Sequence, residues 1–291
     1  MLRVSRSRRL SAARRLSAAL VAVVAALVAN GCLAQTLPSP PPAHVVVLVE
    51  ENHALDEIRG NAQAPFLNGL AAYGTTMTQS YATGHPSQPN YLELFSGSTQ
   101  GVSGDACPAV ASALTTPNLD TALASVGRTF AGYAESLPSA GSLQCSSGAY
   151  ARKHNPWSYF SQVAPGSNRP FSQFPTSNFA ALPTVSFVVP NLADDMHDGS
   201  IAQADAWAEA HLSAYVAWAQ THNSLLIVTF DEDDGSAGNH IFTFFVGPMV
   251  KLGVSAQRIT HDDLLRTLEN LYGAQPTGNS VNAHPVLGIW K

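Results

Sequence analysis

The sequence predicts an α/β fold, a single domain in which a largely parallel central sheet is flanked by helices. The first observation is that short, continuously apolar runs recur along the chain, as is typical of strands buried on both faces. The second is that segments with helical spacing of apolar residues lie between these runs, and strands that alternate with helices favour a parallel sheet. The length of 291 residues and the 45% hydrophobic content allow a sizeable buried core.

The first 34 residues are predicted to be a secretory signal peptide that does not belong to this domain. Six arginines and no acidic residue precede the apolar run LSAALVAVVAALVA, and the small residues NGCLA follow it. A run of about 14 apolar residues is short for a membrane span, so we expect a secreted or periplasmic protein. Cys32 leaves lipoprotein anchoring open, although Ala29 and Asn30 fit a lipobox poorly.

The predicted elements follow a proline-rich linker at 35–43 and fill a domain at 44–291. Continuous apolar runs place strands at 44–50, 128–135, 184–190, 224–232 and 241–247. Apolar residues at helical spacing place helices at 64–74, 118–127, 201–220 and 260–273. The stretch 136–180 is rich in Ser, Pro and Gly and is predicted to be an irregular insertion.

The charge distribution argues against nucleic acid as a partner. Six of the 15 basic residues lie in the first 34 positions, so the rest of the chain has nine basic and 20 acidic side chains and a net charge of −11. A duplex-binding protein normally needs a basic patch. The acids are clustered instead, because eleven of the 20 lie at 50–52, 194–198, 231–234 and 261–263.

Three of these acidic clusters directly follow a predicted strand. Ligands of open α/β sheets bind beyond the carboxyl ends of the strands, and converging carboxylates need a cation between them. We expect one divalent cation, Ca²⁺, Mg²⁺ or Mn²⁺ rather than Zn²⁺, because carboxylate and amide oxygens are hard donors. A solvated acidic turn at 231–234 and a helix N-cap at 50–53 remain open as alternatives. The candidate metal ligands are Glu51, Asn52, Asp231 and Glu232.

The segment HPSQPNYLELFSG at 85–97 offers a nucleophile. Ser87 follows Pro86 at the start of a predicted helix, where free N–H groups and the helix dipole favour a phosphate. A serine at this point is also typical of a helix cap, and both interpretations can hold together. His85 lies two residues before Ser87 and is a second candidate catalytic residue.

Three further histidines are candidates for the site. His197 is flanked by acids, and neighbouring carboxylates favour the protonated ring that a general acid needs. Asp198 beside it is either a site residue or the N-cap of the helix at 201–220. His240 is either a substrate-binding or a structural residue, and His261 belongs either to the site or to a helix start that Thr260 caps. The other histidines are expected to be ordinary: His44, His53, His154, His211, His222 and His284.

Two cysteines, Cys107 and Cys145, remain after the predicted signal peptide. An even number of cysteines in an exported chain indicates a disulfide. This disulfide would close a loop of about 38 residues.

Five segments resemble the phosphoesterase family that groups bacterial phospholipases C with secreted acid phosphatases in the alkaline phosphatase superfamily. They are HVVVLVEENHALDEI, HPSQPNYLELFSG, PNLADDMHDGSIAQADAW, LLIVTFDEDDG and ITHDDLLRTLENLYG. The resemblance implies an alkaline phosphatase-like catalytic domain at 44–291, with Ser87 as nucleophile and the metal ligands given above. It also implies a phosphate pocket lined by His85, Asn90, His197 and Asp198.

The resemblance implies an activity as well. It is that of a secreted, metal-dependent acid phosphatase that hydrolyses phosphate monoesters through a phosphoserine, with phosphoinositides such as phosphatidylinositol 3-phosphate among the substrates. The partner would then be a phosphate ester, including a lipid headgroup at a membrane surface, and the chain would be a monomer. Two-zinc members use more histidine ligands, and Glu51, Asn52 and Glu232 replace them here, which favours a single cation. The alternatives are a phosphodiesterase of phospholipase C type and a calcium-binding module without catalysis.

Overall fold

The computed structural model describes residues 36–110 and 113–291. Within them Leu37–Lys291 is one compact unit, and the predicted signal peptide and Cys32 lie outside the described residues. No helix in the described ranges is long and apolar enough to cross a membrane. The end of the predicted linker is fixed to the unit, because the carbonyl of Pro42 accepts a hydrogen bond of 3.1 Å from the Tyr272 hydroxyl.

A mostly parallel sheet forms the centre of the unit. The described strands are β1 Val45–Glu50, β2 Thr75–Tyr81, β3 Phe130–Ala134, β4 Ser146–Ser147, β5 Tyr150–Ala151, β6 Asn168–Pro170, β7 Val185–Val189, β8 Leu225–Phe230, β9 Thr243–Val246 and β10 Gly253–Thr260. Eight of them pair in the order β10-β2-β9-β8-β1-β7-β3-β6, while β4 and β5 form a separate ribbon. Among the described strands of this sheet, only β9 runs antiparallel to its two neighbours, β2 and β8. The prediction of a single α/β domain with a largely parallel sheet is confirmed.

Helices cover both faces of the sheet. They are α1 Leu55–Ile58, α2 Pro65–Ala72, α3 Ser87–Ser96, α4 Leu119–Ser125, α5 Ile201–Ala219 and α6 His261–Leu271. Side chains of a strand point alternately to opposite faces. Val45 and Val47 of β1 accordingly pack in the apolar layer that contains α3, α4 and α6, whereas Val46 and Leu48 pack in the layer that contains α2 and α5.

Three strands of the central sheet, β2, β6 and β10, were not predicted from the sequence. The TTMTQSY sequence of β2 is mostly polar, and β10 lies at the edge of the sheet with half of its residues exposed. Neither strand therefore shows the continuous apolar run that marks a strand buried on both faces. The stretch 136–180 is only partly irregular as predicted, because it contains the short ribbon β4–β5 and the three-residue edge strand β6. It also includes the 3₁₀ turn Arg152–His154.

The predicted disulfide is confirmed. Cys107 and Cys145 are bonded with an S–S distance of 2.08 Å. The bond joins the loop that follows α3 to the irregular stretch at 136–180. Asp105 lies close to the first cysteine in the chain, and Lys153 follows the second.

The strand order brings three acidic clusters together. β1 lies between β7 and β8 and is parallel to both, so the residues that follow their carboxyl ends meet at one edge of the sheet. The backbone N–H of Glu51 donates to the carbonyl of Asp195 at 2.8 Å, and that of Asn52 donates to Asp231 Oδ1 at 3.2 Å. The predicted convergence of these clusters is therefore a consequence of strand pairing.

Candidate active site

Ser87 is the first residue of α3 and is only 1% exposed. Its hydroxyl lies 3.0 Å from Glu51 Oε2 and 3.3 Å from Glu232 Oε1. The N-cap residue is Pro86, and the N–H of Gln88 donates to Asp105 at 3.0 Å. The Ser87 hydroxyl therefore faces carboxylates and not the helix backbone, so the interpretation of Ser87 as a helix cap is wrong.

Glu51 and Asp231 are buried carboxyl groups with unsatisfied oxygens. Asp231 Oδ1 accepts the N–H groups of Asn52 and Glu232, whereas Asp231 Oδ2 and Glu51 Oε1 have no hydrogen-bond partner among the described residues. Burial, followed by the charge of Glu232, raises the pKa of Asp231 to about 8. Burial and the charge of Asp231 raise the pKa of Glu51 well above its usual range. The protein alone therefore does not stabilise the ionised forms.

Two residues fix the backbone around Asp231. Asn52 has a φ of 52°, a left-handed conformation that asparagine tolerates, and this turn directs its N–H to Asp231. The buried His261 lies with its Nε2 2.6 Å from the carbonyl oxygen of Asp231. His261 begins α6, where the Asp263 carboxylate accepts the N–H of Thr260 at 2.8 Å. His261 thus belongs to a capped helix start and also positions a site carboxylate.

His154 is a site residue that the sequence analysis took for an ordinary histidine. Its Nδ1 hydrogen-bonds to Asp195 Oδ2 at 3.1 Å, and its ring stacks on Tyr91. Its Nε2 lies 3.0 Å from Glu51 Oε1 without the geometry of a hydrogen bond. Burial, and then the charge of Lys153, lower the pKa of His154 well below its usual value. A neutral ring that donates through Nδ1 presents an Nε2 lone pair to a carboxylate oxygen.

These unsatisfied atoms fit a divalent cation. A carboxylate that orients a histidine whose other nitrogen is free is the usual outer support of a metal-ligating histidine, and Asp195 supports His154 in this way. Ligand atoms of Glu51, His154 and His197 lie within 4.8 Å of one another. Carboxylates with histidine nitrogen are donors that zinc also accepts. The donor set therefore extends beyond the oxygen ligands that the sequence analysis expected.

His197 is bound on both sides of its ring. Nδ1 lies 2.7 Å from Asp198 Oδ1, and Nε2 lies 3.0 Å from the Lys153 ammonium. An ammonium group donates and cannot accept, so Nε2 accepts and the ring proton lies on Nδ1. In this arrangement His197 has no proton on Nε2 to give to a leaving group. Asp198 is not the N-cap of α5, because Ser200 accepts the N–H of Gln203 there.

The segment before Ser87 is fixed by two predicted site residues. Asn90 Nδ2 donates to Glu232 Oε2 at 3.0 Å and to the Gly84 carbonyl at 2.7 Å. His85 is 42% exposed, with Nδ1 3.0 Å from Glu232 Oε2 and Nε2 3.0 Å from Asp233 Oδ1. Both nitrogens of His85 thus face carboxylate oxygens, which accommodates a ring that carries two protons.

His240 lies against the sheet. Its ring stacks on Tyr81 with 4.8 Å between centroids, and its Nε2 lies 3.0 Å from the carbonyl of Thr78. Within the described ranges its side chain makes no hydrogen bond to the carboxylates around Ser87. These contacts agree with the structural alternative for His240.

A buried serine hydrogen-bonded to carboxylates lies at the carboxyl edge of this largely parallel sheet, which is where open α/β sheets bind their ligands. The model of the Phosphoesterase family matches residues 60–275. The chain belongs to this phosphoesterase family, and the predictions of the family and of an enzyme are confirmed.

Sequence relatives are phosphatases. The chain is 53% identical over 261 residues to a phosphatidylinositol-3-phosphatase of Mycobacterium tuberculosis, covering 89% of this chain and 86% of that protein. It is 34% identical over 196 residues to a phosphate-repressible acid phosphatase of Penicillium chrysogenum, covering 62% of this chain and 47% of that protein. The chain thus spans about half the length of the fungal acid phosphatases that it matches.

Solved structures share the fold at low sequence identity. An alkaline phosphatase superfamily protein of Vibrio parahaemolyticus superposes with a TM-score of 0.56 at 14% identity, over 86% of this chain and 70% of that one. A phosphonate monoester hydrolase of Silicibacter pomeroyi gives 0.53 at 11% identity, over 84% and 76%. The predicted alkaline phosphatase-like fold is confirmed.

Proposed function

We propose that this phosphoesterase is a secreted, metal-dependent acid phosphatase that hydrolyses phosphate monoesters through a phosphoserine at Ser87. The observation that carries the proposal is the Ser87 hydroxyl, which is hydrogen-bonded to Glu51 and Glu232 beside the unsatisfied oxygen of Asp231. The phosphatase names of the sequence relatives support the activity. The name of the mycobacterial relative supports phosphoinositides as substrates.

The residues divide the work as follows. Glu51, Asn52, Asp231 and Glu232, with His154 as a further donor, would hold the cation, which when bound would neutralise phosphate charge and acidify the serine hydroxyl. Ser87 gives its proton to an adjacent carboxylate and attacks phosphorus, so that a serine–phosphorus bond forms as the ester bond breaks.

We propose that His85 is the general acid that donates a proton to the leaving alcohol. It is partly exposed and faces two carboxylates, whereas Nε2 of His197 accepts from Lys153. Water then attacks the phosphoserine, releases phosphate and restores the serine hydroxyl.

The test is the Ser87→Ala variant, assayed with p-nitrophenyl phosphate in the presence of a divalent cation. Loss of a nucleophile should lower kcat by at least about 10³-fold, while thermal unfolding shows that the variant remains folded. The control is Ser96→Ala, which removes a second buried hydroxyl of α3 that bonds only to its own end of the helix. Activity of Ser87→Ala within a factor of ten of the wild type would rule out the phosphoserine.

A further inference from the structure

The site is rich in negative charge and has one nearby cation among the described side chains. Buried or half-buried carboxyl groups surround Ser87, and a phosphate monoester adds two further negative charges. Beyond the first 34 residues the chain has nine lysines and arginines. Lys153 is the only lysine or arginine among the described residues that forms an ion pair with an acidic side chain. The adjacent Arg152 is used structurally, because its guanidinium bonds to Ser158 and stacks on Tyr159.

Lys153 is held beside the nucleophile helix. Its Nζ lies 2.9 Å from Asp105 Oδ2 and 3.0 Å from His197 Nε2. Asp105 Oδ1 in turn accepts the N–H of Gln88, the residue after Ser87. One carboxylate therefore bridges the ammonium and the start of α3, where a phosphate would be bound.

The ammonium group has capacity for one more acceptor. A lysine has three N–H donors, and Asp105 and His197 take two of them in the described part of the chain. The side chain keeps 17% of its surface exposed, so a solvent-borne ligand reaches it. The ion pair with the Asp105 carboxylate favours the charged form of the Lys153 side chain.

We propose that Lys153 binds the second anionic oxygen of a phosphate monoester and thereby selects monoesters over diesters. The inference rests on the proposed function. At pH 7 a monoester carries close to two negative charges, because its second pKa is about 6, and a diester carries one. A monoester has an anionic oxygen at the position where a diester has its second ester group. This oxygen accepts a hydrogen bond from the third N–H of Lys153. A charge-assisted hydrogen bond in a partly buried site then favours the monoester.

The experiment compares p-nitrophenyl phosphate with bis-p-nitrophenyl phosphate at pH 7 in the wild type, Lys153→Met and Lys153→Arg. We expect kcat/KM for the monoester to fall about 10- to 100-fold in Lys153→Met and kcat/KM for the diester to change less than about threefold. Lys153→Arg keeps the charge and should keep the preference for the monoester. The matched control is Lys251→Met, which removes an exposed lysine bonded to the carbonyl of Gly288.

A second variant and a second measurement secure the test. If Lys153→Met does not fold, Lys153→Gln carries the same expectation, because it removes the charge and keeps hydrogen-bonding capacity toward Asp105 and His197. If diester turnover is too slow to measure, inhibition by orthophosphate decides. Its inhibition constant should rise about tenfold or more in Lys153→Met and less than about threefold in Lys153→Arg.

The outcomes separate this inference from the proposed function. A monoester rate that does not fall, or equal losses for both esters, would overturn the role of Lys153 while leaving a working phosphatase. A wild-type protein that hydrolyses neither ester with any divalent cation would refute the proposed function itself.

Discussion

At the scale of single residues, the site depends on buried carboxyl groups whose pKa values are raised. Burial raises the pKa of Asp231 to about 8, of Glu232 to about 7 and of Asp195 to about 7. A bound cation would reverse these shifts, because an adjacent positive charge favours the ionised form. The same carboxyl groups therefore link stability, pH and cation binding.

The residue-scale prediction concerns the protein from which EDTA has removed divalent cations. A carboxyl group whose pKa is higher in the folded than in the unfolded state binds protons more tightly when folded, so its stabilising effect is present at low pH and is lost as pH rises. We expect the Tm in EDTA to fall between about pH 4, the unfolded pKa, and about pH 8, the pKa of Asp231.

A divalent cation should restore Tm more at pH 8 than at pH 5, because protons compete for the same oxygens. Differential scanning fluorimetry measures both effects. The control is Asp231→Asn, which should be less sensitive to pH and to the cation. A Tm that is flat or rising from pH 5 to pH 8 in EDTA would contradict this account.

A site residue could be predicted from the sequence when its position follows from the strand or helix beside it in the chain. Glu51, Asp231 and Glu232 follow predicted strands, so the apolar pattern places them at one edge of the sheet, whereas Ser87 was assigned to the site mainly through the family resemblance. His154 lies in an irregular stretch, and its position depends on the distant Asp195 and on Tyr91. The only sequence signal for it was Cys145, which the disulfide ties to the loop after α3.

At the scale of elements, the direction of each strand in the sheet could not be predicted from the apolar patterns. β9 has the apolar run of a buried strand but runs antiparallel to β2 and β8. β2 and β10 are polar or exposed, and tertiary pairing makes them strands. The parallel trio β7, β1 and β8 was predicted correctly, and these are the strands that deliver the acidic clusters.

The element-scale prediction concerns the disulfide. Cross-linking two residues separated by 38 positions removes unfolded-state entropy worth about 4 kcal/mol in the chain-entropy account. The double variant Cys107→Ser/Cys145→Ser should lose free energy of unfolding of this order in urea titrations. Its phosphatase activity should also fall at temperatures below its Tm, because the bond joins the segments that carry Asp105 and Lys153.

Reduced wild-type protein provides the matched control for the double variant. The two should unfold at similar urea concentrations, since both lack the same bond. A double variant as stable as the oxidised wild type would show that the bond contributes nothing to the fold.

At the scale of the whole molecule, one compact unit of 37–291 contains all the residues assigned to the site. The chain matches most of the mycobacterial phosphatase but about half the length of the fungal ones. The site needs only the edge formed by β7, β1 and β8, the start of α3 and the disulfide-linked segments. A second domain is therefore not required to assemble the proposed chemistry.

The whole-molecule prediction is export. We propose that residues 1–34 direct secretion and are removed, which agrees with a disulfide that persists in an oxidising compartment. Expressed with these residues in a bacterial host, the protein should appear in the periplasm or medium with Gln35 as its first residue, and without them it should stay in the cytosol. Mass spectrometry of the N-terminal peptide and fractionation measure both. Cys32→Ser should change neither result, because cleavage after Ala34 removes the cysteine; membrane association that this substitution abolishes would instead establish a lipid anchor.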